Sequence, residues 1–200
     1  MDVDGLLGQA WHADRVWTYD YPGRSLWAGN AGDPEGVAPP HTVRLGFRTV
    51  ADGSRPCAFP RIDAVVDGES LPFLFDTGAT LKLTPEAQGQ IGDGGPVLRG
   101  TCFIIDSVLR RWRGRHPDWP VIPRGDALGH GTLIRVPTVT VAGYAVGPVW
   151  FTSRPTDDFR AVLADGMDMP VDGALGGDLF QHFRIVVDYP HAKAIFFRPA

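Results

Sequence analysis

A repeat within the chain restricts its possible folds more than any other feature of the sequence. Residues 3–27, VDGLLGQAWHADRVWTYDYPGRSLW, align without a gap with residues 171–195, VDGALGGDLFQHFRIVVDYPHAKAI, at a constant offset of 168 positions. Both segments contain V-D-G-x-L-G and, at the same distance, D-Y-P. A chance likeness between two hairpins is the alternative. Because internal repeats indicate copies of one structural unit, we interpret residues 1–27 as the remnant of the C-terminal end of a preceding homologous lobe.

The sequence after this segment divides into a linker and one lobe. Residues 28–41, AGNAGDPEGVAPPH, consist mostly of small residues, prolines and glycines, which is typical of a linker. Alternating apolar residues follow it in HTVRLGFRTV, as expected of a half-buried strand. Residues 42–200 are therefore predicted to form one lobe, long enough to bury a core without a metal or a disulfide.

Composition argues against several classes of function. The net charge of -4 gives no electrostatic reason to expect nucleic acid or an anionic membrane as a partner, and no apolar run approaches the roughly 20 residues of a membrane span. Cys57 and Cys102 lack zinc-ligand spacing and are predicted to be structural thiols rather than a disulfide. The six histidines are scattered, so we expect neither a metal nor another cofactor.

The segment FPRIDAVVDGESLPFLFD, residues 59–76, predicts a hairpin that turns at residues 67–69. Asp76 would then lie nearly buried at the end of the second strand. An ionised carboxylate there is costly unless it is hydrogen-bonded, paired or able to share a proton. Gly78 would permit a tight turn around it. A simple Asx turn that caps the strand is the structural alternative.

Other patterns predict the remaining elements of the lobe. Thr84-Pro85 is typical of a helix start, and residues 103–112 have the spacing of an amphipathic helix whose arginines form a solvated face. Residues 125–133 predict a glycine-rich, mobile hairpin. A short helix after Leu175 and a hairpin that turns at Pro190-His191 would close the chain.

The order of these pieces resembles the retropepsin-like aspartic proteases of bacterial type. That family has an apolar strand leading into D-T-G-A, a flap, and a hydrophobic-hydrophobic-Gly segment before a short helix, and the resemblance covers about residues 59 to 198. It implies a mainly β fold: a closed acid-protease barrel with short helices, to which this chain adds one inserted amphipathic helix. It also implies Asp76 as the catalytic residue. The implied supporting residues and flap candidates are Thr77, Gly78, Ala79, Leu175 and Gly176, and Gly129, His130 and Gly131.

Such enzymes hydrolyse peptide bonds with a water activated by two aspartates that share one proton. This chain contains one D-T-G, so the second aspartate would come from a missing N-terminal lobe or from a second chain. The resemblance implies that Thr77 forms a hydrogen bond across that interface. The expected substrate is a peptide or protein, and the 200-residue chain alone would be weakly active or inactive. The alternative function is a non-catalytic peptide-binding or interaction module on the same barrel.

The N-terminal segment bears on two further expectations. It lacks the basic start and apolar stretch of a signal peptide, and a preceding lobe would carry any such signal, so no compartment is assigned. If a second copy completed the dyad, residues 1–27 would be an unpaired set of strands that exposes Trp11, Trp17 and Trp27; these edges would then either cap the lobe present or cause self-association.

Overall fold

The computed structural model describes residues 7–29 and 41–198, and the fold is mainly β, as predicted. The strands are β1 (Val16–Asp20), β2 (Ser25–Ala28), β3 (His41–Arg44), β4 (Arg61–Val66), β5 (Glu69–Phe75), β6 (Thr80–Lys82), β7 (Leu98–Gly100), β8 (Cys102–Ile105), β9 (Val121–Ile122), β10 (Leu133–Val136), β11 (Val139–Val141), β12 (Tyr144–Val146), β13 (Val149–Arg154), β14 (Gly173–Leu175), β15 (Arg184–Asp188) and β16 (Lys193–Phe197). The helices are α1 (Gln9–His12), α2 (Pro85–Ile91), α3 (Asp106–Arg115) and α4 (Gly177–Phe180), with a π-helical turn at Asp158–Val162 and a 3-10 turn at Ala164–Gly166. Most of the predicted linker, residues 30–40, lies outside the described residues. Within the described ranges, no helix has the length and apolar character needed to cross a membrane.

A nine-stranded sheet leads into Asp76. Its strand order is β12-β11-β4-β5-β14-β8-β13-β10-β9, and β5 is largely buried because it pairs with β4 on one side and β14 on the other. β4 and β5 form the predicted hairpin, whose turn residues Asp67 and Gly68 both have positive φ, as the Asp-Gly turn favours. The described strands leave β12 and β9 as edges and form no closed barrel, so the predicted closure is not confirmed.

The predicted helix at residues 103–112 begins later than its sequence pattern indicated. Cys102–Ile105 form β8, which pairs with β13 and β14, and α3 begins at Asp106. The prediction was wrong for residues 103–105 because a short apolar run fits helical and extended spacing equally well. Their aromatic and β-branched side chains suit a strand placed between two others.

Helix α3 has the amphipathic character that was predicted. Val108, Leu109 and Trp112 are buried against the sheet. On the other face, Arg111 forms an ion pair with Glu69 at 2.7 Å, next to the turn of the β4–β5 hairpin. The arginines of this helix therefore contact acidic residues of the chain itself as well as solvent.

The N-terminal segment is part of a second, five-stranded sheet with the order β2-β1-β15-β16-β3. β1 pairs antiparallel with β15, so that Val16 lies opposite Asp188 and Asp20 lies opposite Arg184. At the offset of 168, Val16 corresponds to Arg184 and Asp20 corresponds to Asp188. Exchanging the two segments therefore reproduces the same register, and the pairing is symmetric about its centre.

The repeated residues also share their local geometry. Helices α1 and α4 begin and end at corresponding positions. In the first D-Y-P turn, the Gly23 N–H donates to Asp20 at 2.8 Å, and in the second the His191 N–H donates to Asp188 at 3.1 Å. The likeness between the two segments thus extends from their sequence to their backbone hydrogen bonds.

Two of the three tryptophans of the N-terminal segment, Trp11 and Trp17, are less exposed than expected. Trp17 is only 3% exposed, its indole N–H donates to the His12 carbonyl at 2.9 Å, and Trp11 packs against it with ring centres 4.1 Å apart. Trp27, on the edge strand β2, is 40% exposed. The expected exposure was wrong for Trp17 because β15 pairs with the strand that carries it.

Several local predictions are confirmed. The Thr84 hydroxyl caps α2 by accepting the Ala87 N–H at 3.2 Å, and β15 and β16 form the closing hairpin. Cys57 and Cys102 are free thiols, the first partly buried and the second fully buried. These features depend on short sequence signals that distant parts of the chain do not override.

Candidate active site

Asp76 directly follows β5 and begins a turn through Thr77 and Gly78. Its carboxylate accepts the Gly78 N–H at 2.8 Å, and its carbonyl accepts the Ala79 N–H at 3.3 Å. The side-chain bond is that of an Asx turn. This turn fixes the carboxylate at the end of a buried strand, which is compatible with a further chemical role.

Strand β14 and the residue after it hold the Asp76 turn from the other side. The Asp76 N–H donates to the Leu175 carbonyl at 2.9 Å. A Cβ on Gly176 would lie 2.2 Å from the Thr101 carbonyl oxygen and 2.6 Å from the Cβ of Ala79, so only glycine fits. The structure thus brings the predicted catalytic residue and the five predicted supporting residues into one cluster.

The Asp76 carboxyl group has a perturbed protonation equilibrium. Burial raises its pKa above the usual value, and the N–H groups of Gly78 and Ala79 partly oppose that shift. No second carboxylate of the described residues contributes to this pKa. Burial also raises the pKa of Asp178, to about 6, but that carboxylate accepts the Trp150 N–H at 2.7 Å and does not line the cavity next to Asp76.

A cavity of about 460 Å³ opens beside Asp76. One part of its wall is aromatic and aliphatic, and is formed by Phe59, Phe103, Phe159 and Leu163. Arg154 also lines it, with its guanidinium 4.2 Å from the centre of the Phe103 ring. A further part of the wall comes from the two repeated segments, and is formed by Leu7, Gly8, His12 and Tyr189. These wall residues were not predicted, since they come from segments far apart in the sequence.

The three flap candidates do not line this cavity. Gly129, His130 and Gly131 belong to the loop between β9 and β10, where Gly129 and His130 are exposed. The buried carboxylate of Asp126 holds this loop, because it accepts the Gly129 N–H at 3.0 Å and forms an ion pair with Arg154 at 2.9 Å. A flap role for the loop stays a prediction.

Thr77 lies on the surface beside the site. Its side chain is exposed, and its hydroxyl has no hydrogen bond to another described residue. It lines an apolar depression together with Tyr21 and Leu26. Tyr21 packs against Phe180 with ring centres 5.7 Å apart, and its pKa is raised by burial first and by the charge of Asp76 second. Tyr21 was missed as a neighbour of the site; its place in the repeated D-Y-P was the available signal.

In residues 7–29 and 41–198, no group of three or more His, Cys, Asp and Glu side chains is arranged to hold a metal ion. The polar groups that form hydrogen bonds with Asp76 belong to the main chain: two N–H groups and one carbonyl.

Comparison with known proteins gives little beyond this geometry. No family model matches the sequence, and no curated protein matches it. Among solved structures, the fold is similar to the crystal structure of a retropepsin-like aspartic protease from Rickettsia conorii, with 12% sequence identity and a TM-score of 0.41 over 80% of this chain and 94% of that chain. A likeness of this size carries no argument about fold or activity, so the case for a function rests on the geometry around Asp76.

Proposed function

We propose that this protein is an aspartic-type endopeptidase with a retropepsin-like site, in which Asp76 is one of two aspartates that activate a water molecule. The second aspartate comes from a homologous lobe or from a second chain. One observation carries this proposal: the Asp76 carboxylate, which has a raised pKa and accepts the Gly78 N–H at the end of a buried strand, lines a cavity of about 460 Å³.

The chemistry follows from two carboxylates in contact. Such a pair cannot be doubly ionised at ordinary pH, so it holds one proton. The ionised member takes a proton from water as the water oxygen attacks the peptide carbonyl carbon, and the protonated member donates its proton to the carbonyl oxygen. The C–N bond then breaks as a proton passes to the leaving nitrogen, which yields a carboxylic acid and an amine. The raised pKa of Asp76 supports its part in holding the shared proton.

The cavity wall supports a peptide as the substrate. Phe59, Phe103, Phe159 and Leu163 offer an apolar surface next to the carboxylate, and Arg154 and Asp158 add charged groups to the same wall. Apolar surfaces combined with placed polar groups are typical of ligand sites. A peptide with apolar side chains beside the cleaved bond would therefore fit best.

The test is the substitution Asp76→Asn, assayed on an unstructured protein substrate in the 200-residue chain at high concentration and in a chain that also carries a homologous lobe before residue 3. We expect turnover to fall by about 10²- to 10⁴-fold, since the variant cannot exchange the proton. The fold should persist because asparagine can still accept the Gly78 N–H. Asp178→Asn is the matched control, since it removes a buried carboxylate outside the cavity. Wild-type turnover in the Asp76 variant would contradict the proposal.

A non-catalytic peptide-binding module is the second candidate function. It is favoured by the observation that no second carboxylate of the described residues acts on the pKa of Asp76. Under this alternative, peptides would bind the cavity without being cleaved, and Asp76→Asn would leave their affinity within about threefold, which corresponds to less than 1 kcal/mol.

A further inference from the structure

The symmetry of the five-stranded sheet extends to the hydrogen bonds between its two halves. The Tyr21 N–H donates to the Phe183 carbonyl at 3.3 Å, and the Tyr189 N–H donates to the Arg15 carbonyl at 3.2 Å. The offset of 168 converts one of these bonds into the other. Residues 7–28 and their counterparts at 175–196 therefore hold equivalent places within this sheet.

Outside the sheet, the two equivalent places have opposite surroundings. Leu175 is fully buried, and Gly176 lies against the Asp76 turn, where an added Cβ would be within 3.1 Å of three atoms. Their counterparts are Leu7, which is 57% exposed, and Gly8, where an added Cβ would meet no atom of the described residues within 4 Å. Leu7 and Gly8 instead line the cavity. One position is thus occupied by an Asp-Thr-Gly turn, and the equivalent position is open.

Two further pairs of counterparts show the same contrast. Tyr21 lies close enough to Asp76 for that charge to affect its pKa, whereas Tyr189 lines the cavity. On the outer strands, Ala194 is fully buried between β15 and β3, whereas its counterpart Leu26 on the open edge of β2 is 45% exposed. The open position beside Leu7 and Gly8 and the open edge of β2 both belong to the half of the symmetric sheet that residues 7–28 form.

We propose, building on the proposed function, that the part of the cavity lined by Leu7, Gly8 and Tyr189 is the docking site for an Asp-Thr/Ser-Gly turn of a homologous lobe. Residues 7–28 are the last elements of that lobe. A main-chain N–H of its turn donates to the Leu7 carbonyl, just as the Asp76 N–H donates to the Leu175 carbonyl. The same lobe supplies a strand equivalent to β3, which pairs with β2 and completes a six-stranded sheet.

A second copy of this chain does not fit this site. The Asp76 turn of a second copy is already covered by its own Leu175 and Gly176. Its residues 175–196 would also need the place that residues 7–28 already occupy beside β15. The occupant is therefore a lobe that has no such closing segment of its own, and the proposal selects the homologous lobe over the second chain as the source of the second aspartate.

The test compares the 200-residue chain with a tandem chain in which residues 41–170 are placed directly before residues 3–200, which preserves the offset of 168. Both chains carry Cys57→Ser, which removes a competing thiol. In both, Leu7→Cys in the segment before the second lobe supplies a single probe thiol at this position. The rate at which that thiol reacts with a maleimide is measured. We expect rapid labelling of the 200-residue chain at every concentration, and labelling at least about tenfold slower in the tandem chain, where the thiol is buried as Leu175 is.

Two glycine substitutions, one next to this thiol and one far from it along the chain, make the test specific. Gly8→Ala should restore rapid labelling of the tandem chain, because a Cβ there would collide with the docked turn. Gly114→Ala is the matched control. An added Cβ there also meets nothing within 4 Å in the described part of the chain, but it lies on α3, far along the chain, so the substitution should leave labelling slow.

The outcomes separate this proposal from the proposed function. Equal labelling of the two chains, or protection of the 200-residue chain that grows with its own concentration, would overturn the docking site. Slow labelling of a tandem chain that shows no peptidase activity would support docking while contradicting the dyad. Peptidase activity in a tandem chain whose thiol is labelled rapidly would support the dyad while contradicting the docking site.

Discussion

Asp178 is a carboxylate whose protonation state depends on the fold. It lies in the first turn of α4 and accepts the Trp150 N–H at 2.7 Å. Burial raises its pKa to about 6, and the Trp150 N–H and then the attraction to Arg99 oppose this only in part. The folded protein therefore binds this proton more tightly than the unfolded chain, where the pKa of aspartate is near 3.9. The stability linked to Asp178 is present below pH of about 4 and is lost as the pH rises to about 6.

Asp178→Asn should consequently stabilise the protein at neutral pH. Asparagine keeps an acceptor for the Trp150 N–H but removes the buried charge. We expect the free energy of unfolding to rise by about 2 to 3 kcal/mol at pH 7.5 and to be nearly unchanged at pH 3.5. Urea unfolding of both proteins at these two pH values measures the difference. An effect of the same size at both would show that the charge is not its source.

Gly8 and Gly176 have equivalent positions in the repeat and should respond differently to the same substitution. Gly176→Ala should lower the free energy of unfolding by about 1 to 3 kcal/mol or more, because main-chain atoms of Thr101 and Asp76 would have to move. Gly8→Ala in the 200-residue chain should change it by less than about 0.5 kcal/mol. Urea unfolding of both variants checks this, and a large effect at Gly8 would mean that its surroundings are already filled.

Among the elements, those with local signals could be predicted from the sequence. The Asp67-Gly68 turn and the Thr84 cap each act within a few residues. The boundary between β8 and α3 could not, because Ile104 and Ile105 suit either conformation and their partners lie in β13 and β14, more than forty residues away. Strand pairing over such separations leaves no trace in a local pattern.

The residues of the candidate site also fall into those that could be predicted from the sequence and those that could not. Asp76 and Gly176 could be predicted as neighbours, since the order of their two short motifs resembles a family pattern, although the contacts of Gly176 with Thr101 and Ala79 depend on the folded chain. The walls of the cavity could not, because Phe59, Phe103 and Phe159 become neighbours only after the chain has folded. The repeat did predict a structural relationship for Tyr21 and Tyr189, though not which of them would lie near Asp76.

The loop between β9 and β10 is held by an ion pair that the flap prediction did not foresee. Asp126 is fully buried and is paired with Arg154, whose side chain is 16% exposed. Asp126→Ala would leave that guanidinium without its carboxylate and release the Gly129 N–H. We expect a loss of about 3 to 5 kcal/mol in the free energy of unfolding, measured by urea unfolding.

Thr138→Ala is a control for Asp126→Ala, since it changes an exposed residue elsewhere in this hairpin region and should cost less than about 0.5 kcal/mol. A loop that opens freely as a flap would give a different result. In that case Asp126→Ala would cost as little as the control, and the Gly129 amide would exchange its hydrogen rapidly in the wild-type protein.

At the scale of the whole molecule, the N-terminal segment is integrated into the core. β1 lies between β2 and β15, and Trp17 and Tyr19 belong to the same buried cluster as residues of β5, such as Phe73 and Phe75. A segment that shares its core with the rest of the chain unfolds with it when cooperativity holds. We therefore expect β1 and β5 to have a common free energy of opening.

Trp17→Ala tests this coupling. Loss of a buried tryptophan should cost about 3 to 5 kcal/mol, which would speed amide hydrogen exchange in both β1 and β5 by at least about a hundredfold if both strands exchange through the same unfolding event. Trp27→Ala, on the 40% exposed edge strand, should leave both strands nearly unchanged. If Trp17→Ala accelerates exchange in β1 while β5 keeps its wild-type protection, the segment opens on its own. Residues 7–28 would then be a separable attachment, and a homologous lobe that ends in them would be only loosely fixed beside Asp76.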